Sequence, residues 1–543
     1  MVQFSGVPII VLKEGTERRQ GRNAQKNNIA ASIAVAEAIR TTLGPKGMDK
    51  MLVDSLGDVT ITNDGATILD EIDVQHPAAK MMIEIAKTQD KRVGDGTTTS
   101  VIIGGSLLKS AQELIDQSVH PTIILRGYRK ALIKSKDILK KIAEKVDSSD
   151  KKILKQAAIT AMNSKSIVGV REHFAEIAVK SILQIVDLRG DLKIIDIDQI
   201  QIIKKEGGSL SDTELINGII IDKEIVHPMM PKRLENVKIA LIDTPLEIEK
   251  TEFDAEIKIQ SPDQITRFLE EEENMLKRKA STIINSGAKV IFCQKGIDDK
   301  AQSLLARENI IAIRRVKRSD MEKLSRATKA KIITNLVELT PEDLGASGLV
   351  EEKKVGTDNM IFVSECSDPK AVSILIRGGI AHVVDEAERT LNDALCVVRN
   401  IVDNPYILGG GGSSEIELSK QLRDFATTIG GREQLAIEAY AYSLEVVPTT
   451  LAENAGLDPV DLLVELRAKH DSPDGKAMGV NIQTGKPSNM IEEGVIEPLV
   501  VLMQAIQSAT EVSSMILKID DVIAASGGMK AGAGGPQMPP DMD

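Results

Sequence analysis

Loops that combine glycine with carboxylate or hydroxyl side chains occur in two widely separated parts of this 543-residue chain. Three of these loops lie between residues 42 and 99, and a fourth lies near residue 410. If the four loops build one site, the two ends of the chain fold together and the middle is an insertion between them. The chain is also long enough for about three or four domains. We therefore predict a discontinuous, multi-domain architecture.

The segment 94–99 reads Gly-Asp-Gly-Thr-Thr-Thr and directly precedes a helix-like run, residues 100–115. The N-terminus of a helix has unpaired N–H groups and partial positive charge, so it binds phosphate readily. The two glycines allow close approach of the backbone, and Asp95 can reach a Mg²⁺ ion that bridges phosphate oxygens. Taken alone, the segment also fits a capped helix with a polar first turn.

The other three loops have related compositions. Residues 42–47 (Thr-Leu-Gly-Pro-Lys-Gly) follow a predicted helix with a rigid turn, and residues 62–65 (Thr-Asn-Asp-Gly) have the sequence of an Asx-type turn. Residues 408–413 (Leu-Gly-Gly-Gly-Gly-Ser) precede another helix-like run, and their glycines could admit a purine or ribose against bare backbone. Each loop alone also fits a structural role, as a simple turn, an Asx turn and a flexible linker, respectively.

Several classes of enzyme are excluded by the motifs that the chain lacks. No G-x-x-x-x-G-K-[ST] sequence occurs, which excludes the ordinary P-loop ATPases. The six histidines never pair at the spacing of metal ligands, and no G-x-S-x-G sequence occurs. Zinc hydrolases and serine esterases are therefore excluded as well.

The composition limits the partners and the compartment. A net charge of −12 argues against a nucleic-acid partner, because such a partner needs a clustered positive field. The three cysteines are far apart in sequence, so neither a disulfide framework nor a zinc site is predicted. No signal-peptide pattern is visible, and no stretch approaches the about 18 consecutive apolar residues of a membrane span. We expect a cytoplasmic protein with no nucleic-acid partner and no membrane span.

Apolar periodicity predicts a mixed fold. Residues 27–43 and 76–145 have helical spacing, and long helices return after residue 399. In the middle, Ile- and Val-rich strands alternate with helices at 300–307 and 320–327, as in a compact α/β domain. The predicted strands are 193–197, 238–242, 290–292, 310–313, 332–333, 360–363 and 372–376. The fold class is therefore multi-domain, with mostly helical parts and α/β parts.

Residues 261–279 form a charged helix in which Glu273 and Lys277 are placed to pair at i,i+4. Its apolar positions fit either a binding stripe or packing against the domain body, and they are Ile265, Phe268, Leu269, Met275 and Leu276. Residues 526–543 are a tail rich in Gly, Pro and Met, which we expect to be disordered.

Five motifs in this order closely resemble those of the group II chaperonins, the family of the archaeal thermosome subunits and of the eukaryotic cytosolic TCP-1 ring chaperonin. The motifs are residues 42–50 (Thr-Leu-Gly-Pro-Lys-Gly-Met-Asp-Lys), 62–65, 94–99, 393–395 (Asp-Ala-Leu) and 410–412. The resemblance extends over essentially the whole chain. Two positions depart from the family pattern: Asn163-Ser164 replaces a frequent Thr-Gly, and Gly409 replaces a frequent proline.

The resemblance implies three domains. Residues 1–149 and 404–525 would form a mostly helical equatorial ATPase domain. Residues 150–218 and 370–403 would form a small α/β intermediate domain that acts as a hinge. Residues 219–369 would form an α/β apical domain that binds substrate proteins.

The resemblance also implies roles for individual residues. Asp95 would bind Mg²⁺, and Asp64 and Asp393 are the candidate catalytic carboxylates, because a carboxylate near the γ-phosphate can position or deprotonate the attacking water. Since Asp393 belongs to the hinge domain, hydrolysis would require hinge closure. The ATP-binding set would be Leu43, Gly44, Pro45, Gly96, Thr97, Thr98, Thr99, Ser164, Lys165, Gly411 and Glu497, with Lys165 as the phosphate-sensing lysine.

The function implied is that of an ATP-dependent chaperone. Identical or paralogous subunits would assemble into a double ring of eight or nine per ring, which captures unfolded proteins and encloses them on ATP hydrolysis. A helical protrusion at about residues 248–279 would form a built-in lid, and a prefoldin-type co-chaperone is a possible further partner. The alternative is a holdase or structural ring or filament protein that nucleotide stabilises without productive turnover.

Overall fold

The computed structural model describes residues 17–53, 57–165, 169–189, 192–248, 262–367, 369–472 and 474–524. Residues 249–261 of the predicted protrusion and the predicted tail 526–543 lie outside these ranges. The described part is a mixture of helices and several separate sheets, as the sequence predicts.

Sixteen α-helices occur among the described residues. They are α1 (Gly21–Arg40), α2 (Gly65–Glu71), α3 (Pro77–Val93), α4 (Thr97–Asp116), α5 (Pro121–Ile142), α6 (Lys151–Met162), α7 (Arg171–Ile185), α8 (Pro262–Ser286), α9 (Asp299–Arg307), α10 (Arg318–Thr328), α11 (Ala381–Asp403), α12 (Ser413–Ile429), α13 (Gly431–Leu444), α14 (Val446–Asn454), α15 (Pro459–His470) and α16 (Leu499–Leu517).

Twenty-one strands occur in the same part of the chain. They are β1 (Glu17–Gln20), β2 (Lys50–Val53), β3 (Val59–Thr62), β4 (Glu144–Lys145), β5 (Asp187–Arg189), β6 (Leu192–Ile194), β7 (Ile200–Glu206), β8 (Glu214–Ile216), β9 (Ile219–Ile221), β10 (Arg233–Ile242), β11 (Val290–Cys293), β12 (Ile311–Ile313), β13 (Ile332–Ile333), β14 (Gly345–Val355), β15 (Asp358–Ser364), β16 (Val372–Gly378), β17 (Tyr406–Gly409), β18 (Met478–Asn481), β19 (Lys486–Asn489), β20 (Ile496–Pro498) and β21 (Asp521–Ala524).

The largest sheet has seven strands in the order β12-β11-β10-β14-β15-β9, with β13 paired to β10. Strands β11 and β13 pair with β10 in parallel and β12 pairs with β11 in parallel. Strands β14, β15 and β9 run antiparallel to their neighbours. A separate sheet places β16 between β7, which is parallel, and β8, which is antiparallel. Strand β16 leads directly into α11.

The buried apolar residues separate into cores that follow the two ends and the middle of the chain. The largest core draws on residues 29–139 and 408–517, so the two ends of the chain share it. A second core draws on residues 154–200 and 372–407, together with Ile496. Two more lie on opposite faces of the seven-stranded sheet, between residues 219 and 371. This distribution agrees with a central insertion, while the exact domain boundaries stay a prediction.

Most of the predicted elements are confirmed. Helices α1, α3, α4, α5, α9 and α10 and strands β6, β10, β11, β12, β13, β15 and β16 all occur where the sequence predicts them, within a few residues. Strand β14 was not predicted, because its first residues, Gly-Ala-Ser-Gly, have little strand propensity. It forms through its pairing with β10 and β15.

Helix α8 is longer than predicted, and its two halves differ in burial. Glu273 and Lys277 form the expected pair, with Oε1 and Nζ 2.7 Å apart. Leu276, Ala280 and Ile283 are buried against the domain body, whereas Met275 is 45% exposed. Among the described side chains of α8, none before Leu276 is buried. Leu276 therefore packs against the body, Met275 does not, and the side chains of Ile265, Phe268 and Leu269 lie outside the described set.

One helix among the described residues, α16, is long and apolar enough to cross a membrane by length and composition. Its most apolar window is 61% buried, and the helix packs against α3, α4 and α5. Polar residues such as Gln504, Gln507 and Glu511 interrupt its apolar run, which is why a search for consecutive apolar residues does not find it. Its position is that of a core helix.

Candidate functional site

The loop between α3 and α4 turns sharply at two glycines. Gly94 ends α3 with φ 69° and Gly96 precedes α4 with φ 74°, both in the left-handed region that favours glycine. A Cβ atom on Gly94 would lie 2.4 Å from both Cβ and Sγ of Cys396 on α11. The two glycines therefore allow the loop that carries Asp95 to pack directly against α11.

Helix α4 begins at this loop without a side-chain cap. Gly96 at the N-cap position offers no side-chain oxygen, and its own N–H donates to Asp95 Oδ1 at 2.6 Å. Gln89 Nε2 donates to the backbone oxygen of Asp95 at 2.9 Å and fixes the loop from the other side. The first turn of α4, residues 97–99, thus faces the site with N–H and hydroxyl donors, an arrangement that binds anions.

Asp64 is the N-cap of the short helix α2. Its Oδ2 atom accepts from the N–H and the hydroxyl of Thr67, each at 2.8 Å. Its Oδ1 atom accepts from the Thr97 hydroxyl at 3.3 Å. The structure therefore shows a helix N-cap where the sequence predicts an Asx-type turn, because the bond reaches the N–H three residues on. The cap directs one carboxylate oxygen of Asp64 toward the start of α4.

Lys165 lies between Asp64 and Asp393. Its Nζ atom is 3.6 Å from Asp64 Oδ1 and 3.4 Å from Asp393 Oδ2. The lysine side chain is only 5% exposed, and the side chains of Asp64 and Asp393 are partly buried, at 17% and 15% exposed. Asp64 is followed by α2, Lys165 follows α6 and Asp393 belongs to α11, so three distant parts of the chain meet at this ion-pair cluster.

Burial and neighbouring charges separate the pKa values of the carboxyl groups. Burial alone would raise the pKa of Asp64, but the Lys165 charge and the hydrogen bonds from Thr67 and Thr97 lower it overall. Burial raises the pKa of Asp95 to about 6. For Asp393, burial together with the charges of Asp64 and Asp95 outweighs Lys165 and raises the pKa well above its usual range.

These groups line two cavities that share a wall. The smaller cavity, about 80 Å³, contains the ion-pair cluster and the start of α4. The larger one, about 450 Å³, extends toward the glycine loop at residue 411, and its volume falls in the usual range of ligand pockets. The residues that line both cavities are Leu43, Gly44, Asp95, Thr99, Ala161 and Ser164. The two cavities therefore form one continuous site.

The structure brings all fourteen of the predicted site residues to these cavities. The smaller cavity adds Asp64, Gly96, Thr97, Thr98, Lys165 and Asp393 to the shared wall. The larger cavity adds Pro45, Gly411 and Glu497. Their placement is thus common to one site, whereas their individual roles stay a prediction.

The far end of the larger cavity is built by β17, β20 and α12. Glu497 on β20 lies opposite Leu408 on β17, and the glycines that follow β17 lead into α12, whose third residue is Glu415. The glycine loop is therefore a strand-to-helix turn and not a flexible linker. Glu415 is 3% exposed, and burial raises its pKa to about 7.

The residues present fit a nucleotide with Mg²⁺. Among the described residues that line the smaller cavity, Lys165 is the one cation, and it faces three carboxyl groups, those of Asp64, Asp95 and Asp393. An added cation would balance the carboxylates that remain. Among the described residues, Asn63 Oδ1 and Glu415 Oε2 are buried without a hydrogen-bond partner, and both residues line the cavities. Within the same residues, no group of three or more His, Cys, Asp or Glu side chains could hold a metal by itself.

Asn63, Glu415 and Arg171 also line this site, and none of them has a predicted role. Asn63 lies inside the Thr-Asn-Asp-Gly motif next to Asp64, so its position was a usable signal. Glu415 follows the glycine loop by three residues, which is a weaker signal. Arg171 begins α7 and belongs to no motif, and only the tertiary structure brings it to the larger cavity.

The sequence model of the TCP-1/cpn60 chaperonin family matches residues 35–527. A thermosome subunit of Pyrococcus horikoshii is 58% identical over 526 residues, which cover 97% of this chain and 96% of the relative. The thermosome subunit alpha of Archaeoglobus fulgidus is 55% identical over 528 residues, with 97% and 96% covered. A thermosome subunit of Methanopyrus kandleri is 55% identical over 526 residues, with the same coverage. The chain therefore belongs to the TCP-1/cpn60 chaperonin family and, within it, to the archaeal group II chaperonins.

Proposed function

We propose that this chain is an ATP-hydrolysing chaperone subunit. One observation carries the proposal: Lys165, Asp64 and Asp393 form a buried cluster beside the uncapped start of α4. Phosphoryl transfer requires mainly charge neutralisation and an oriented water in line with the phosphorus atom. This cluster supplies a cation and two carboxylates next to a helix terminus that suits phosphate.

The start of α4 binds the phosphates in this proposal. The Gly96 N–H and the Thr97 hydroxyl already donate to Asp95 and Asp64, so the phosphate oxygens accept from the N–H groups of residues 97–99 and the hydroxyls of Thr98 and Thr99. Gly96 allows the phosphates to approach the backbone closely, and the Lys165 ammonium approaches the terminal phosphate. Asp95 would hold Mg²⁺, and the ion would supply charge neutralisation at the phosphates. Leu43, Gly44 and Pro45 cover the nucleotide, while Gly411 and Glu497 contact its ribose or base.

The two catalytic carboxylates take different roles because their surroundings separate their pKa values. Asp64 has a lowered pKa, so it stays ionised and orients the water as an acceptor. Asp393 has a raised pKa, because burial and the charges of Asp64 and Asp95 outweigh the charge of Lys165, so it binds a proton more readily than Asp64 and takes the role of general base. Ser164 lies in the shared wall and lines the path between the two ends of the nucleotide.

The distribution of cores supports the proposed domains, in which residues 1–149 with 404–525 form the ATPase domain and residues 219–369 form the client-binding domain. Residues 150–218 with 370–403 then form the hinge. The described side chains in the first half of α8 are not buried, as expected for a helix that forms a lid protrusion. Capture of unfolded proteins and their enclosure by this lid follow from the family and are part of the proposal.

An exposed apolar hairpin supports assembly with further copies or with paralogous subunits. Met51, Val53 and Ile61 on β2 and β3 are 67%, 64% and 41% exposed. Met51 lies opposite Ile61 in the hairpin register, and side chains two positions apart share a face. An isolated two-stranded hairpin is barely stable in water, so a neighbouring subunit that covers this face would stabilise it. We propose a double ring of eight or nine subunits per ring in the cytoplasm, while the prefoldin-type partner stays a prediction.

Substitution of Asp393 by alanine tests the proposed turnover. We expect loss of ATP hydrolysis and of client refolding, with nucleotide binding retained, because Asp393 acts on the water and not on the nucleotide. Asp385→Ala is the matched control, since Asp385 is an exposed aspartate two turns earlier on α11 that pairs with Lys204. Unchanged client protection by Asp393→Ala would favour the alternative, a holdase in which nucleotide only stabilises the fold.

A further inference from the structure

Asn63 connects the loop that carries Asp64 to the segment that carries Lys165. Its Nδ2 group donates to the backbone oxygen of Ser164 and, at 3.0 Å, to Asp49 Oδ1. Asn63 is only 4% exposed and lines the smaller cavity. Because Asn63 and Asp64 are adjacent in sequence, this contact fixes the segment 163–165, which carries Lys165, relative to Asp64.

Arg171 holds the same segment from the opposite side. One of its terminal nitrogens donates to Asn163 Oδ1 and the other to the backbone oxygen of Lys165, both at 3.2 Å. Arg171 is the first residue of α7 and lines the larger cavity. The guanidinium is planar and its donors have a fixed geometry, so two such contacts restrict the segment more than a single flexible donor would.

The backbone oxygens of Ser164 and Lys165 are thus both anchored by side chains from outside the segment. The Lys165 ammonium in turn lies 3.4 and 3.6 Å from two carboxylates, and its side chain is nearly inaccessible. A lysine has four rotatable side-chain bonds, so the position of its ammonium depends on how firmly its backbone is held. The two anchors remove that freedom at the backbone.

We infer that Asn63 and Arg171 are positioning residues, which clamp the segment 163–165 so that the Lys165 ammonium stays between Asp64 and Asp393. This inference rests on the proposed ATP hydrolysis. Asn63 and Arg171 then affect turnover by positioning Lys165, and neither residue needs to touch the nucleotide. A misplacement of about 1 Å in a catalytic group can cost about 100-fold in rate, so loss of one anchor should lower turnover by about 10- to 100-fold.

A double-mutant cycle tests this path. Asn63→Ala is made in the wild-type chain and in Lys165→Met, and the rate of phosphate release at saturating ATP is measured for all four proteins. We expect the large effect of Asn63→Ala to disappear in the Lys165→Met background, because there is no ammonium left to position. Nucleotide affinity should change by less than about threefold, and Arg171→Lys, which keeps the charge but loses the planar fork, should resemble Asn63→Ala.

Asn28→Ala is the matched control. Asn28 is another buried asparagine, 2% exposed, on α1, and it does not line either cavity. This variant should keep wild-type turnover. An Asn63→Ala effect of equal size with and without Lys165, or an effect no larger than that of Asn28→Ala, would overturn the inference.

A second measurement separates this inference from the proposed function. Lys165 is protected from amine acylation by its burial, so mass spectrometry of the acylated protein without nucleotide reports its position directly. We expect several-fold faster acylation of Lys165 in Asn63→Ala than in the wild type or in Asn28→Ala. Equal acylation would refute the clamp even if ATP is hydrolysed. A wild-type chain without turnover would refute the proposed function, while the acylation result would still decide on the clamp.

Discussion

Replacement of Gly94 by alanine should move α11 and thereby disable the site. The new Cβ atom would lie 2.4 Å from Cβ and Sγ of Cys396, whereas carbon atoms in contact are about 3.5–4.0 Å apart. The Cys396 Cβ atom is fixed to the backbone of α11, so a change of rotamer cannot relieve the clash. The helix and the loop must separate by about 1 Å.

The size of the effect follows from this displacement. Asp393 lies three residues before Cys396 on α11 and therefore on the same side of the helix, so it moves with Cys396 away from Asp95. A shift of about 1 Å predicts a loss of turnover of about 100-fold. The free energy of unfolding should fall by about 1–3 kcal/mol from overpacking and by about 1–2 kcal/mol from the left-handed backbone, which a Cβ atom disfavours.

The assay is steady-state phosphate release at saturating Mg·ATP, with thermal unfolding measured in parallel. Gly287→Ala is the control, because Gly287 has φ 82° but no atom within 4 Å of the added Cβ. It carries similar backbone strain without the clash and should keep its turnover. Cys396→Gly removes both clashing atoms. The double variant Gly94→Ala/Cys396→Gly should therefore recover most of the turnover that Gly94→Ala alone loses. Turnover of Gly94→Ala within twofold of the Gly287→Ala value, or no recovery with Cys396→Gly, would show that the packing argument is wrong.

Two further predictions concern the metal and the assembly. If Asp95 holds Mg²⁺ as proposed, it must be ionised to do so. Burial raises its pKa to about 6, so it gains a proton as the pH falls through that value, and the Mg²⁺ concentration for half-maximal turnover should rise by about tenfold per pH unit below 6. Asp95→Asn, which does not titrate, should remove this part of the pH dependence. Met51→Glu places a charge on the exposed face of the β2–β3 hairpin and should prevent assembly, so light scattering should give a single-subunit mass where the wild type gives a ring. The exposed control Val337→Glu, at a position 88% exposed in the central region, should assemble normally, and a ring formed by Met51→Glu would exclude the hairpin as a contact.

The sequence predicts the secondary structure of this chain better than its tertiary contacts. Helix starts are well marked: Pro77 and Pro121 occupy the first turns of α3 and α5, and the preceding histidines cap them. Strand β14 escapes prediction because its pairing with β10 and β15, and not its composition, makes it a strand. The exposed β2–β3 hairpin is not predicted either, because its strands have only four residues each, too few to show a clear alternating pattern.

Some residues of the candidate site can likewise be predicted from the local sequence, and others cannot. The phosphate-type loop at 94–99 can be predicted from its sequence, because glycines, a carboxylate and hydroxyls before a helix are the groups that bind phosphate and Mg²⁺. Asp393 has no such local signal, and only the resemblance to a family singles it out. Arg171 has neither kind of signal, because its contacts with Asn163 and Lys165 arise when α7 packs beside α6.

Only Gly379 and Ile380 separate strand β16 from helix α11, so the position of Asp393 depends on the angle between the sheet and the helix. Asp393 lies twelve residues into a continuous helix that begins at Ala381, which places it about 18 Å along the axis from the sheet. At the end of such a lever, a rotation of about 3° moves the carboxylate by about 1 Å, a distance that matters to catalysis. If Asp393 acts in hydrolysis as proposed, a small tilt of the β7–β16–β8 sheet would therefore change the rate of hydrolysis. The rate of the proposed hydrolysis would then depend on the angle between this sheet and α11 as well as on the bound nucleotide.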